Sequence, residues 1–382
     1  MAYSRATAEA PAPVAASAEA STQAPPSPSA SAPSRGLAEQ KRFRALVTEL
    51  SEQSAYFFSN NLISNETSYL QIADELAERA SPEAAYVGVG PEQNFSYIAL
   101  TRPSVAFVVD IRRDNQLLLL LHRAAFEEAS SRAHYLSLLL GREHAPDQAE
   151  APGARIDAVI DAALAGRADE ASFEAAHAKL RARIEGYELG SSAADAETLR
   201  KQHRAFYEAQ LSLRFELHHQ NGRRYPTFAE LLRTRSPSGR HGSYLDTLEG
   251  FLVVQDLQRR GRVVPLVGDF AGDGALRQLG AHLRSEGVEV GTFYVSNVEQ
   301  YLLDRDKWAR WLRNVDALPQ RSDAVFVRAY LDQGARHPAQ LPGHRTATVL
   351  VPMSELSARF GQRPAPSLLA LSTEGMAAPR PR

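Results

Sequence analysis

The sequence predicts an α/β fold, with a doubly wound, mostly parallel sheet and a large helical insertion. Three observations carry this expectation. Val105 to Ile111 is continuously apolar apart from Asp110, the pattern of a strand covered on both faces. From Val263 onward, short apolar runs alternate with segments of helical spacing, the order that builds parallel strands with right-handed crossovers. From about Asp114 to Arg260, helical periodicity dominates, which places a helical insertion between two strands.

In chain order, residues 1–36 are almost entirely Ala, Ser, Pro, Thr and Glu, with Pro11, Pro13, Pro25, Pro26, Pro28 and Pro33. Such a segment buries too little apolar surface to offset its ordering entropy, so a disordered tail is predicted. Residues 361–382, with Pro364, Pro366, Pro379 and Pro381, receive the same reading. The folded unit is therefore expected over residues 37–360. A first helix is expected over residues 38–54, with Leu46, Val47 and Leu50 on one stripe. Asn65 is a candidate N-cap for a second helix that buries Leu70, Ile72, Ala73 and Leu76. Residues 85–89 read as a short buried strand broken by Gly88 and Gly90, and residues 95–100 as a short helix. Residues 105–111 form the next strand. The insertion divides into helical stretches at 117–140, 156–164, 173–184, 198–218 and 244–260. Four further strands are expected at 263–269, 288–295, 324–331 and 346–351, with helices at 274–286 and 298–314. That makes six strands.

Composition removes several function classes. Length, 382 residues, corresponds to about two units of ~150 residues or one large domain with an insertion. Lys and Arg number 43 against 45 Asp and Glu, a net charge of −2, so no basic footprint marks nucleic acid as a partner. With no cysteine, disulfides, thiolate metal sites and a catalytic thiol are absent. The longest apolar run, Leu117 to Leu121, falls far short of the ~18 residues of a membrane helix. No basic stretch followed by an apolar one opens the chain, so the expected compartment is the cytoplasm. HExxH, G-x-S-x-G and P-loop patterns do not occur, and no catalytic metal is expected. The expected partner is an unidentified small-molecule or protein substrate.

In open α/β sheets, ligands bind beyond the carboxyl ends of the strands, and four polar clusters fall there. The turn Gly88-Val89-Gly90-Pro91-Glu92-Gln93-Asn94 lets backbone approach a ligand and leads into a helix amino terminus. Its G-x-G lacks the third glycine of a dinucleotide fingerprint, and a tight turn without a ligand is the alternative. Asp110 ends the second strand, twenty residues past Gly90. At that spacing a carboxylate meets ribose hydroxyls in nucleotide-binding folds; the alternative is pairing with Arg112 or Arg113. After the third strand, Asp269 and Phe270 are placed for an adenine, while Asp273 reads as the cap of the next helix. After the fourth, Ser296, Asn297, Glu299 and Tyr301 gather hydroxyl, amide, carboxylate and phenol. A fifth cluster, Ser59 to Tyr69, brings Asn65 and Glu66 to the mouth.

This order of strands and polar ends resembles the class I S-adenosylmethionine-dependent methyltransferases, a Rossmann-like fold. The strings SNNLISNETSYL, YVGVGPEQNFSYIA, FVVDIRRDN, PLVGDFAG and FYVSNVEQYL are similar to a bacterial family described only as methyltransferase-like, over about residues 57–351. The resemblance implies S-adenosylmethionine as cofactor and S-adenosylhomocysteine as product. Gly88 and Gly90 would approach its methionine part, with Glu92 and Asn94 in the same turn. Asp110 would hold the ribose, and Asp269 and Phe270 would face the adenine. Ser296, Asn297 and Tyr301 would present the substrate, with Glu299, Glu66 or Tyr301 as base. Two positions depart from that pattern. Tyr86 stands where an acidic residue precedes the glycines, and Glu92 stands at the third glycine. A non-catalytic protein that keeps the nucleoside-cofactor fold is the alternative, and an NAD-dependent oxidoreductase the third.

Overall fold

A computed structural model describes Met1 and residues 32–144, 150–151, 153–218, 222–331 and 334–376. Six strands form one mixed sheet: β1 (Ala85–Gly88), β2 (Val105–Asp110), β3 (Val263–Val267), β4 (Val290–Ser296), β5 (Gln320–Leu331) and β6 (Thr346–Pro352). Their order is β3-β2-β1-β4-β5-β6. The first five run parallel, and β6 is antiparallel to β5 along an edge of the sheet. Every residue of β1, β2 and β3 is buried, which accounts for their unalternating apolar sequence. Pro265 is tolerated in β3 because this is the other edge strand, where a missing N–H breaks no ladder on the open side. The chain moves outward from β1 to β3 and then returns beside β1 as β4. The connection order therefore reverses between β1 and β4.

The helical stretch between β2 and β3 is present. Its first helix, Arg113–Glu128, buries Leu117 to Leu121 and packs against β2 and β3, so it serves as the crossover on which the remaining helices assemble. Helical periodicity runs past real boundaries at several places. The stretch 117–140 divides because Ser131 accepts from the His134 N–H and starts a new helix, Arg132–Leu139. The stretch 298–314 divides into a 3-10 turn, Val298–Tyr301, and a helix, Arg305–Asp316, capped by Asp304.

Two capping expectations are corrected. Asn65 caps nothing; Ser68 precedes a 3-10 turn, Tyr69–Ile72, that leads into the helix Ala73–Ala77. Asp273 does not cap the helix Ala275–Glu286 but pairs with Arg277. Glu52 takes that role from a distant part of the chain. Its carboxylate accepts from the Asp269 N–H at 3.0 Å, the Ala275 N–H at 2.8 Å and the Gly274 N–H, so an acid supplies a helix amino terminus from outside its own turn.

The tails need correction as well. The first helix begins at Ala32 and runs to Glu49, so residues 32–36 belong to an element; residues 2–31 lie outside the described residues. At the other end, Ser367 caps a helix, Leu368–Thr373, that packs against β5. Composition hid this because prolines flank a short run with only three leucines. Ala365, Leu368 and Leu371 are nevertheless buried. Ending the chain at Gly361 should therefore cost roughly 3–6 kcal/mol, at ~1.5–3 kcal/mol per buried leucine. Urea unfolding of that truncation checks it, and an unchanged midpoint would return the segment to a dispensable tail.

Candidate functional site

The carboxyl ends of β1 to β4 open into a cavity of about 340 Å³, toward the lower end of the ~300–1,000 Å³ of small-molecule sites. Two segments enclose it. The chain after the first helix crosses the strand ends, donating from Glu52 N to Val267 O at 2.8 Å and from Ala55 N to Ile111 O at 2.9 Å. It then pairs with an irregular stretch inside the helical insertion: Ser59 bridges Leu217, and His218 N donates to Phe58 O at 3.0 Å. Among the described residues of the helical insertion, those that reach the cavity are Phe215, Leu217, Arg223 and Tyr225.

Glu66 stands at the centre of the polar wall. It is 1% exposed yet lines the cavity. Its carboxylate accepts from the Tyr294 hydroxyl at 2.8 Å, the Gln93 amide at 2.8 Å and the Ser296 hydroxyl. Burial pushes this carboxyl above its usual range, and the hydrogen bonds from Gln93, Ser296 and Tyr294 only partly offset that. Ser296 holds its hydroxyl there from a left-handed backbone, φ 52°, a conformation that costs a non-glycine residue about 1–3 kcal/mol and gathers at functional sites. Asn61, also on the cavity wall, has φ 45°. Asn65 lines the cavity beside Glu66.

The glycine turn divides between the two uses a glycine has. Gly90 borders the cavity with φ 78° and open space where a Cβ would stand. Gly88 does not border it. A Cβ there would lie 1.9 Å from Asn94 Oδ1 and 2.8 Å from the Tyr86 ring, so this glycine makes room for the protein's own side chains. Asn94 is equally consumed: its amide donates to Val89 O, Gly90 O and Pro91 O and its oxygen accepts from the Tyr86 hydroxyl at 2.9 Å. Glu92 is buried behind the turn, away from the cavity wall, with Ser64 N donating to Oε1 at 3.3 Å and no partner for Oε2. Burial pushes its carboxyl up to about 8. Gly88, Glu92 and Asn94 thus shape the turn instead of meeting a ligand.

Asp110 lines the cavity but is already paired. Arg112 grips it through Nε to Oδ1 at 3.1 Å and Nη2 to Oδ2 at 3.2 Å, with the Arg112 N–H on Oδ1 at 3.0 Å. The same guanidinium donates to Ser59 O and Asn60 O, tying the enclosing segment to β2. Asp269 borders the cavity half-buried, accepting from Ala271 N at 2.8 Å. Phe270 also touches it, yet its ring stacks on Trp311 at 5.3 Å and 9° and meets Phe293 edge-on. That ring belongs to the core and offers no face to an adenine.

After β4, Ser296, Asn297 and Tyr301 line the cavity and Glu299 does not. Glu299 is fully buried on the other side of its 3-10 turn. It is held by Arg328 through Nε to Oε2 at 2.6 Å and Nη2 to Oε1 at 2.9 Å, and by Trp311 Nε1 at 3.1 Å. Buried off the cavity wall, its carboxylate has no access to a substrate, so Glu299 is withdrawn as a candidate base. Tyr301 is 38% exposed, and burial raises its phenol, which weakens it as a base.

Sequence reasoning missed Arg112, Phe57 and Phe58 as wall residues, although the Phe-Phe pair was visible. Among the described residues, no three His, Asp or Glu side chains are grouped to hold a metal ion, and no helix is long and apolar enough to cross a membrane.

Sheet and site together define an α/β protein with a ligand-sized cavity at its strand ends. The chain belongs to the family described as a domain of unknown function, DUF7790, whose model matches residues 61–377. That span takes in all of the cavity wall except Phe57 and Phe58. No curated protein matches the chain.

Proposed function

We propose that this protein is an S-adenosylmethionine-dependent methyltransferase-like protein on a Rossmann-like sheet, acting on a small-molecule or protein acceptor. The observation that carries this reading is the meeting of Gly90, Asp110, Asp269 and Ser296 on one cavity where the strand order reverses, the place where open α/β sheets take ligands. The residues present fit a nucleoside. Gly90 leaves open space beside the turn. Asp110 Oδ2 accepts one bond from Arg112 and retains a further acceptor position for a ribose hydroxyl. Asp269 offers a carboxylate to a base amino group.

When bound, S-adenosylmethionine would be held by Gly90, Asp110 and Asp269 and would supply an electrophilic methyl group to the acceptor. The chain's own contribution is position, exclusion of water and a base. Glu66 is that base. Its raised carboxyl brings it toward the working pH, where general bases act best, and it takes the proton the acceptor loses. Methyl transfer should therefore rise with pH as Glu66 ionises.

A second reading, a binding protein without catalysis, draws on the filled space beside Gly88, where Tyr86 and Asn94 stand. Calorimetric titration of the full chain with S-adenosylmethionine, S-adenosylhomocysteine and NAD tests both. The first two should bind and NAD should not. Glu66→Gln should keep S-adenosylhomocysteine affinity and lower methyl transfer to a panel of phenols and amines by ~10²–10⁴. No binding of either sulfur compound to the folded chain sinks the proposal. Binding without transfer to any acceptor leaves the second reading.

A further inference from the structure

We propose that the aromatic half of this cavity is an acceptor site for a neutral, planar aromatic molecule bearing an ionisable O–H or N–H group; this rests on the methyl-transfer reading. Part of the cavity wall is built of rings. Phe57 and Phe58 stack on each other at 4.4 Å, and Tyr301 stands edge-on to Phe57 at 5.5 Å and 90° and tilts toward Phe58 at 6.0 Å. From the opposing segment, Phe215 and Tyr225 form an edge-to-face pair at 4.8 Å. Phe57, Phe58, Tyr225 and Tyr301 remain part-exposed on the cavity. Aromatic surface of this kind gains both area and ring geometry when a flat ligand covers it.

The floor selects the other end of the molecule. Glu66, Tyr294 and Ser296 meet there, and Glu66 has no cation among its hydrogen-bond partners. A carboxylate or phosphate reaching this floor would face a buried acid. Arg112 offers it no compensation, because Asp110 and two carbonyls occupy that guanidinium. The other two cations on the wall are not partners of Glu66: Lys307 lies 3.6 Å from Asp304, and Arg223 comes from the segment that carries Phe215 and Tyr225. A hydroxyl or amine instead donates its hydrogen to the Glu66 carboxylate, which receives the proton when the heteroatom is alkylated. Ring walls over an acceptor-rich floor thus define a phenol-like molecule in preference to an aliphatic alcohol or an aromatic acid.

The test is fluorescence titration of the full chain with 2-naphthol, with cyclohexanol competition and 2-naphthoate as comparisons, and separate calorimetry with S-adenosylhomocysteine. Saturable 2-naphthol binding is expected, with 2-naphthoate at least about tenfold weaker and cyclohexanol failing to compete. Phe58→Ala and Tyr301→Ala should each weaken 2-naphthol by about tenfold and leave S-adenosylhomocysteine affinity and melting temperature unchanged. Since both side chains are part-exposed, folding should survive. If S-adenosylhomocysteine fails to bind while 2-naphthol binding persists and depends on Phe58, the methyl-transfer reading falls and the aromatic site stands. Absent 2-naphthol binding, binding indifferent to both variants, or equal binding of 2-naphthoate would overturn the proposal.

Discussion

Glu299→Ala should destabilise the protein by about 3–5 kcal/mol, the usual effect of leaving a buried ionic partner unpaired. Arg328 is 1% exposed and Glu299 is fully buried. The guanidinium lies over the Phe326 ring at 4.6 Å, and its main charged contact is the bidentate pair with Glu299. Removing the carboxylate strands that charge between β5 and the turn after β4. It also leaves the Trp311 indole N–H without its acceptor. Glu299→Gln should recover part of the loss, because an amide oxygen still accepts from Trp311 or Arg328. Replacing both partners, Glu299→Leu with Arg328→Met, should be far milder than the single change, since no buried charge is then left over. Urea unfolding of the three variants measures this. A single alanine variant as stable as the wild type would mean that the pair is not formed in solution. Ligand affinity of the refolded Glu299→Gln protein should stay within a few-fold, because Glu299 does not touch the cavity.

Glu92 should make the protein less stable as pH rises, and Glu92→Gln should remove that dependence. Burial raises this carboxyl from 4.5 to about 8. A group whose pKa is higher in the folded chain stabilises it fully below the unfolded value and loses that contribution as pH climbs through the folded value. The window is thus about pH 4.5 to 8, and at ~1.36 kcal/mol per unit the full loss is roughly 5 kcal/mol. Glu66, raised in the same direction by burial, adds to the trend. Glutamine matches Glu92 in shape, can still accept from Ser64 N, and carries no charge to bury. Its amide nitrogen would stand where Oε2 already lacks a partner, so a modest constant penalty is expected beneath the removed slope. The measurement is the difference in unfolding free energy between wild type and variant from pH 5 to 9. The variant should gain relative to wild type across that range, and a difference that does not change with pH would contradict the raised carboxyl.

Much of this molecule is determined by local sequence. Apolar runs without alternation at 105–109 and 263–267 demand strands covered on both sides, and they are β2 and β3. The spacing from Gly90 to Asp110 places both at neighbouring strand ends, because one helical crossover separates them, and both border the cavity. What tertiary structure decided is where side chains point once regular periodicity stops. Glu299 and Tyr301 lie two residues apart in a 3-10 turn; one turns into the core toward Arg328, the other out toward Phe57. Neither direction follows from a period of 3.6 or 2. The same limit hid Glu52, whose helix terminus lies more than two hundred residues away, and the antiparallel course of β6, which its apolar sequence does not encode. Asp110 shows the boundary most sharply. Its pairing with Arg112 was open in the sequence, and in the fold the Ser59 and Asn60 carbonyls hold the same guanidinium in place. Local sequence sets which groups reach the strand ends. Long-range packing sets which of them are held in ion pairs there, like Asp110, and which, like Glu66, line the cavity with neutral hydrogen-bond partners.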